Sequence, residues 1–233
     1  APSVASGIGA KLLCSARYVS DFSEQQAIED LVQYSPVLDY LQVEFDDSNK
    51  SVTASFLGLS TTTARYLTGI GCANDYPQVN NRDELKPRDI ARLASRWPHG
   101  DRVDTIQAPL QSLLEDILSN DNLKGLNTRA LLLVHDGQIV AEAYGQGSGP
   151  NTPLLGWSMA KSLMSVMVGN QVLRGKLDPE HTPLFSQWSN DERRDIHLED
   201  LLRMGDGLEF SEQYDPGDDA TAMLFTEPSA SAY

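Results

Sequence analysis

A serine and a lysine three residues apart, Ser158 and Lys161, are the residues of this sequence best suited to chemistry. They stand at the start of a long apolar segment, and on an α-helix residues three apart lie on one face. A neutral lysine amine could accept the serine proton, and the positive end of the helix dipole would favour an oxyanion beside it. The spacing therefore predicts an activated serine nucleophile.

A Ser-x-x-Lys tetrapeptide is short, and about one is expected by chance in a chain of this size. The alternative interpretation makes Ser158 an ordinary helix N-cap and Lys161 a solvent-facing side chain. The context favours chemistry, because Lys161 is the only lysine or arginine between Arg129 and Arg174. The helix predicted over residues 158–173 is apolar nearly all round, and a lysine in a buried helix needs a reason.

The elements that must position this pair are predicted from local patterns. Two apolar runs, 129–135 and 138–144, flank Asp136-Gly137 and predict a tight β-hairpin. The first run is continuously apolar, which indicates a strand buried on both faces, although a buried helix would show the same pattern. A Gly- and Pro-rich loop then leads to Ser158.

Weaker patterns surround this region. They predict a helical segment over 27–32, a hairpin of strands 40–45 and 51–57, a helix over 110–118, a short helix over 197–204 and a loop-like acidic tail from residue 209.

Composition excludes several classes of function. The 233 residues carry a formal net charge of -15, the wrong sign for a surface that tracks nucleic acid. No apolar run is long enough to predict a membrane span. The four histidines are scattered, so neither a metal nor another cofactor is predicted. Asp218-Asp219 reads as a solvated turn.

Two cysteines, Cys14 and Cys72, allow one disulfide or two buried free thiols. The even count favours the disulfide, which suits an oxidising compartment. The small residues of the opening Ala1-Pro2-Ser3 segment are consistent with a removed signal peptide. We therefore expect a periplasmic or secreted protein.

Four ordered features resemble the serine β-lactamase and penicillin-binding-protein superfamily. In chain order, they are the hairpin 131–144, Gly156-Trp157-Ser158-Met159-Ala160-Lys161-Ser162, Gly175-Lys176-Leu177-Asp178, and the segment 197–208. Within the superfamily, the sequence is most similar to class C-like hydrolases that include esterases and 6-aminohexanoate-dimer hydrolases. The resemblance spans residues 108–225.

This resemblance implies that Ser158 is the acylated nucleophile and Lys161 its base partner. The substrate would be a small-molecule ester, amide or β-lactam-like compound. The implied fold is mixed α/β (α+β): a five-stranded antiparallel sheet flanked by helices, plus a helical lobe. Residues 1–105 would form a small, disulfide-linked mixed region, and residues 106–233 the first part of the catalytic domain.

The sequence also departs from the family pattern. Tyr214-Asp215-Pro216 does not match the family's Tyr-x-Asn element, and no Lys-Thr-Gly-type strand is found. Only the first two strands of the implied sheet are present, so we expect an incomplete fold. A second chain, or the rest of a longer protein, would complete it. The alternatives are β-lactamase or D,D-peptidase-like activity, or an inactive hydrolase-like binding module.

Overall fold

The protein is a mixed α+β structure, and its computed structural model describes residues 2–76, 86 and 93–230. The chain divides into two compact units. One comprises Ala1–Pro153 with Glu212–Tyr233, and the other comprises Leu154–Ser211. This division by contacts does not test the boundary expected near residue 105, which stays a prediction.

The first unit begins with a helix laid across an antiparallel sheet. Helix α1 covers Pro2–Tyr18, and the four strands pair in sequence order. The strands are β1 (Leu41–Asp46), β2 (Ser51–Phe56), β3 (Ser60–Leu67) and β4 (Gly71–Asn74).

Alternation along the central strands gives the sheet a buried face and a polar face. Val52, Ala54 and Ala64 are fully buried in the core beneath α1. On the other face, the hydroxyls of Thr53 and Thr63 pair across β2 and β3 at 2.9 Å. The predicted strands 40–45 and 51–57 are confirmed within a residue at each end.

Helix α2 (Glu24–Tyr34) begins at Ser23, whose hydroxyl accepts the backbone N–H of Gln26. It contributes Ala27 and Leu31 to the core under α1. The helical pattern noted over 27–32 is thus confirmed.

A second layer holds the predicted hairpin. Helix α3 (Ala108–Leu123) packs on β6 (Gln138–Tyr144), which pairs with β5 (Ala130–His135). The turn residues Asp136 and Gly137 have φ values of 48° and 69°, as a type I′ turn requires. The hairpin prediction is confirmed.

The predicted burial of β5 on both faces is wrong for the described chain. Leu132, Leu133 and Val134 are 51%, 37% and 46% exposed. Only β6 pairs with β5 among the described residues, whereas the other edge of β6 is covered. There the Gln111 side-chain amide bonds both the N–H and the C=O of Glu142. Strand β5 therefore presents an apolar open edge.

The prediction of a loop-like tail from residue 209 is wrong for residues 219–225. Residues Asp219–Phe225 form helix α6, and Phe225 is buried in the core beside α1. Asp218, expected in a solvated turn, is 8% exposed. Its carboxylate accepts the N–H groups of Tyr214 at 2.7 Å and Ala220 at 2.8 Å, which caps the helix.

The second unit contains α4 (Met159–Leu173) and α5 (Leu198–Leu202), with 3-10 helices at Ser186–Trp188 and Glu192–Asp195. Helix α4 ends as predicted, with Gly175 at φ 64° beyond its C-cap. It was expected to be buried, yet it has no buried residue. Its sequence is that of a core helix, but the described chain does not cover it.

Among the described residues, no helix has both the length and the apolar character needed to cross a membrane.

Candidate active site

The candidate nucleophile follows a residue held in an unusual backbone conformation. Trp157 has φ +43°, in the left-handed region that aromatic residues seldom adopt. Such conformations cost of order 1–3 kcal/mol and cluster at active sites and ligand clamps. The chain thus makes a sharp turn that delivers Ser158 to the first position before α4.

Ser158 and Lys161 lie together, as their spacing predicts. Lys161 Nζ donates to Ser158 Oγ at 3.1 Å. Ser158 occupies the N-cap position but has helical dihedrals (φ -64°, ψ -10°), and its side chain caps no backbone N–H. Because an N-cap side chain normally requires an extended backbone, this geometry disfavours the alternative of an ordinary capping serine. The hydroxyl is directed to the lysine.

The backbone N–H of Ser158 lies at the start of α4, beside N–H groups that already donate to backbone carbonyls. The N–H groups of Met159 and Lys161 donate to the carbonyls three residues earlier, at 2.9 and 3.0 Å. The N–H of Ser158 itself has no backbone acceptor in the part of the chain that the structure describes. An N–H on the nucleophile, at the positive end of a helix, is suited to bind an oxyanion.

The pair lies in the open. Ser158, Lys161 and Trp157 are exposed, as is nearly every side chain of α4. The large apolar side chains of α4 that are exposed are Met159, Leu163, Met164, Val166, Met167 and Leu173. Acyl transfer gains from a site that excludes water, because electrostatic interactions strengthen there. The described residues supply the reactive pair without such an enclosure.

The segment 197–208, part of the resemblance, forms α5 and the turn after it. His197 is the N-cap, and its backbone N–H donates to the Asp200 carboxylate at 2.9 Å. This hydrogen bond lowers the pKa of Asp200. The interaction closes a capping box and accounts for these two residues without a catalytic role.

The predicted disulfide between Cys14 and Cys72 is confirmed. It joins α1 to β4 with a Cα–Cα distance of 5.9 Å, within the range that a disulfide spans without backbone movement. Disulfides are typical of proteins that mature outside the cytosol. No group of three or more His, Cys, Asp or Glu side chains suited to a metal lies within the described residues.

Two structural features were missed from the sequence, one in each unit. The left-handed Trp157 carries no sequence signal, since such residues are usually Gly or Asn. The Asp218 turn does carry one: Asp-x-x-Thr ahead of Met223-Leu224-Phe225 is a helix-start pattern. Asp218 makes the contact of such a start, because its carboxylate accepts the N–H of Ala220, whereas the Thr221 hydroxyl donates to the Asp218 carbonyl.

Comparisons with protein-family models, with curated proteins and with solved structures found no match to this chain. The resemblance to the serine β-lactamase superfamily rests on sequence motifs alone, and it stays a prediction.

Proposed function

We propose that this chain carries the nucleophile of a serine hydrolase that cleaves an ester or amide bond by acyl transfer. The observation that carries the proposal is the Ser158 hydroxyl, which caps no backbone N–H and lies 3.1 Å from Lys161 Nζ at the start of an apolar helix. The superfamily resemblance and the left-handed Trp157 support it.

In the proposed reaction, Ser158 Oγ attacks the substrate carbonyl and forms a tetrahedral intermediate. Lys161, in its neutral form, takes the hydroxyl proton and then delivers it to the leaving alcohol or amine. The backbone N–H of Ser158 binds the oxyanion. Water then attacks the acyl-enzyme, the acid product leaves, and Ser158 regains its proton.

We propose further that the site is completed by polypeptide beyond the described residues, either a second chain or more of the same protein. Two observations support this: the open apolar edge of β5 and the uncovered apolar surface of α4. Soluble proteins rarely leave a long apolar strand edge free, because it templates pairing with other strands.

The test is active-site labelling of the protein isolated from its native source. A fluorophosphonate should add the mass of one phosphonyl group to the protein, and peptide mapping should place that group on Ser158. Ser158→Ala should abolish the adduct, and Lys161→Met should slow its formation by about 100-fold or more. Ser165→Ala is the matched control, since Ser165 lies on the same helix and its hydroxyl donates to the Lys161 carbonyl. Equal labelling of Ser158→Ala would refute the proposal.

The second candidate is a hydrolase-like binding module without catalysis, and the exposure of Ser158 and Lys161 favours it for this chain in isolation. Labelling of Ser158 separates the two candidates. Among active enzymes, turnover of a chromogenic cephalosporin by the native protein would favour a β-lactamase over an esterase or amidase.

The disulfide supports a periplasmic or secreted location. Alkylation of the denatured, unreduced protein should then find no free thiol at Cys14 or Cys72.

A further inference from the structure

The last turn of α6 is held by side chains of α1 and β4. Lys11 Nζ donates to the Leu224 carbonyl at 3.3 Å, and its ammonium lies 5.8 Å from the centre of the Phe225 ring. Asn74 Nδ2 donates to the Phe225 carbonyl at 3.2 Å and also to the Gly7 carbonyl at 3.2 Å. A cation and an amide donor thus satisfy the negative end of the helix dipole.

Close approach at this point depends on a glycine. A Cβ on Gly7 would lie well inside the van der Waals contact distance of the Phe225 carbonyl oxygen. Phe225 is 3% exposed and belongs to the core under α1. Helix α6 therefore docks in a shaped seat formed by α1 and β4.

The disulfide joins the two elements that form this seat. Gly7, Lys11 and Cys14 are spaced four and three residues apart, so they share one side of α1. On β4, Cys72 and Asn74 are two residues apart and face the same side. The Cys14–Cys72 bond therefore sets the separation between the two rows of side chains that hold α6.

We propose that this disulfide is a redox-controlled latch: while it is intact α6 stays docked, and its reduction releases Asp219–Phe225. Cys14 is fully buried and Cys72 only partly buried, so in the proposed step a dithiol reductant attacks Cys72 Sγ. Cys14 leaves as a thiolate and takes a proton from water. The second thiol of the reductant then attacks the mixed disulfide and releases Cys72. Two electrons and two protons pass from the dithiol to the cysteine pair.

Release is local because the rest of the seat has its own core. Leu13, Val52 and Ala64 hold α1 on β2 and β3 without the disulfide, since all three are fully buried in that layer. Strand β4 has four residues at the edge of the sheet, and the disulfide is its covalent tie to α1. Helix α6 has only seven residues, too few to persist undocked. A change in the distance between Lys11 and Asn74 should therefore undock α6 before it disturbs the rest of the layer.

The latch bears on the segment that carries Ser158. Residues Leu154–Ser211 lie between two points held by the first unit. Ser20 Oγ donates to the Pro153 carbonyl at 2.7 Å ahead of the segment, and the Asp218 turn with α6 follows it. Undocking α6 frees the second point, whether or not Ser158 is a nucleophile.

Hydrogen exchange of the purified chain, followed by mass spectrometry, tests the proposal. Amides of 219–225 should exchange about tenfold faster or more after reduction with dithiothreitol. The double variant Cys14→Ser/Cys72→Ser should behave as the reduced protein, and Asn74→Ala should show the same release with the disulfide intact. Amides of 51–67 in β2 and β3 should keep their protection in every case. Asn49→Ala is the control, because Asn49 lies in an exposed turn and bonds Asp46.

Three results would overturn the proposal. The first is unchanged exchange of 219–225 after reduction. The second is parallel loss of protection in 51–67, which would make the disulfide a general stabiliser of the layer. The third is that amides of 219–225 in the Asn74→Ala variant exchange at the same rate as in the unsubstituted protein with its disulfide intact.

Discussion

The Asp30–Arg129 ion pair ties α2 to the residue before β5, and we predict that Asp30→Asn lowers the free energy of unfolding by about 2 kcal/mol. Arg129 Nη2 lies 2.5 Å from Asp30 Oδ1, and the arginine side chain is only 16% exposed. Asn127 Nδ2 donates to the same oxygen at 3.3 Å. The variant loses a charge-assisted hydrogen bond of about 1.5–3 kcal/mol, while the guanidinium remains mostly buried.

The matched control is Asp21→Asn. Asp21 is 98% exposed, and its oxygen lies 4.0 Å from Arg17 Nη1. Exposed pairs of this kind contribute about 0–1 kcal/mol, so we expect little change. Urea unfolding at pH 7, followed by far-ultraviolet circular dichroism, measures both variants. The loss of unfolding free energy caused by Asp30→Asn should persist in 1 M salt. At that concentration the Debye screening length is about 3 Å, so exposed ion pairs are largely screened. Equal effects of the two substitutions would refute the reasoning.

Three further predictions concern packing, titration and exposure. Gly7→Ala should destabilise the protein by about 1–3 kcal/mol, because the new Cβ meets a backbone oxygen of α6. In Gly9→Ala the new Cβ meets the end of a leucine side chain, so this control should cost less. The midpoints of urea unfolding measure both variants. Burial and the hydrogen bond to a carboxylate raise the pKa of Tyr144 to about 12. Ultraviolet titration of the protein and of Tyr144→Phe should assign this raised pKa to Tyr144. The free energy of unfolding should fall between about pH 10 and pH 12, because Tyr144 ionises in the unfolded state before it ionises in the folded state. In the isolated chain, Leu163→Asp should leave the unfolding free energy within about 0.5 kcal/mol, whereas Leu118→Asp, at a 9% exposed position, should lower it by about 3 kcal/mol.

The elements predicted well are those specified by neighbouring residues. Asp136-Gly137 determines the hairpin turn, and Gly175 ends α4. The missed helices depend on partners that are distant in sequence. Helix α1 contains Gly7 and Gly9, which lower helix propensity, and it is stabilised by packing on the sheet. Helix α6 is too short to be stable alone and docks on residues more than 150 positions away.

The same distinction applies to the candidate site. The contact between Ser158 and Lys161 follows from three residues of helix, so spacing alone was enough to predict it. Their environment is non-local. The apolar sequences of β5 and α4 predicted burial, and the described chain leaves both exposed.

A sequence with the pattern of a core but the exposure of a surface is informative in itself. Leu132 in β5 and Leu163 in α4 are 51% and 62% exposed, so each would gain about 1–2 kcal/mol from full burial. Leaving many such side chains in water has no benefit for a soluble surface, since polar residues would serve there equally well. These apolar surfaces support the proposal that further polypeptide contacts them. Under that proposal, Ser158–Lys161 chemistry has to be measured in the native protein, in which further polypeptide would cover the pair.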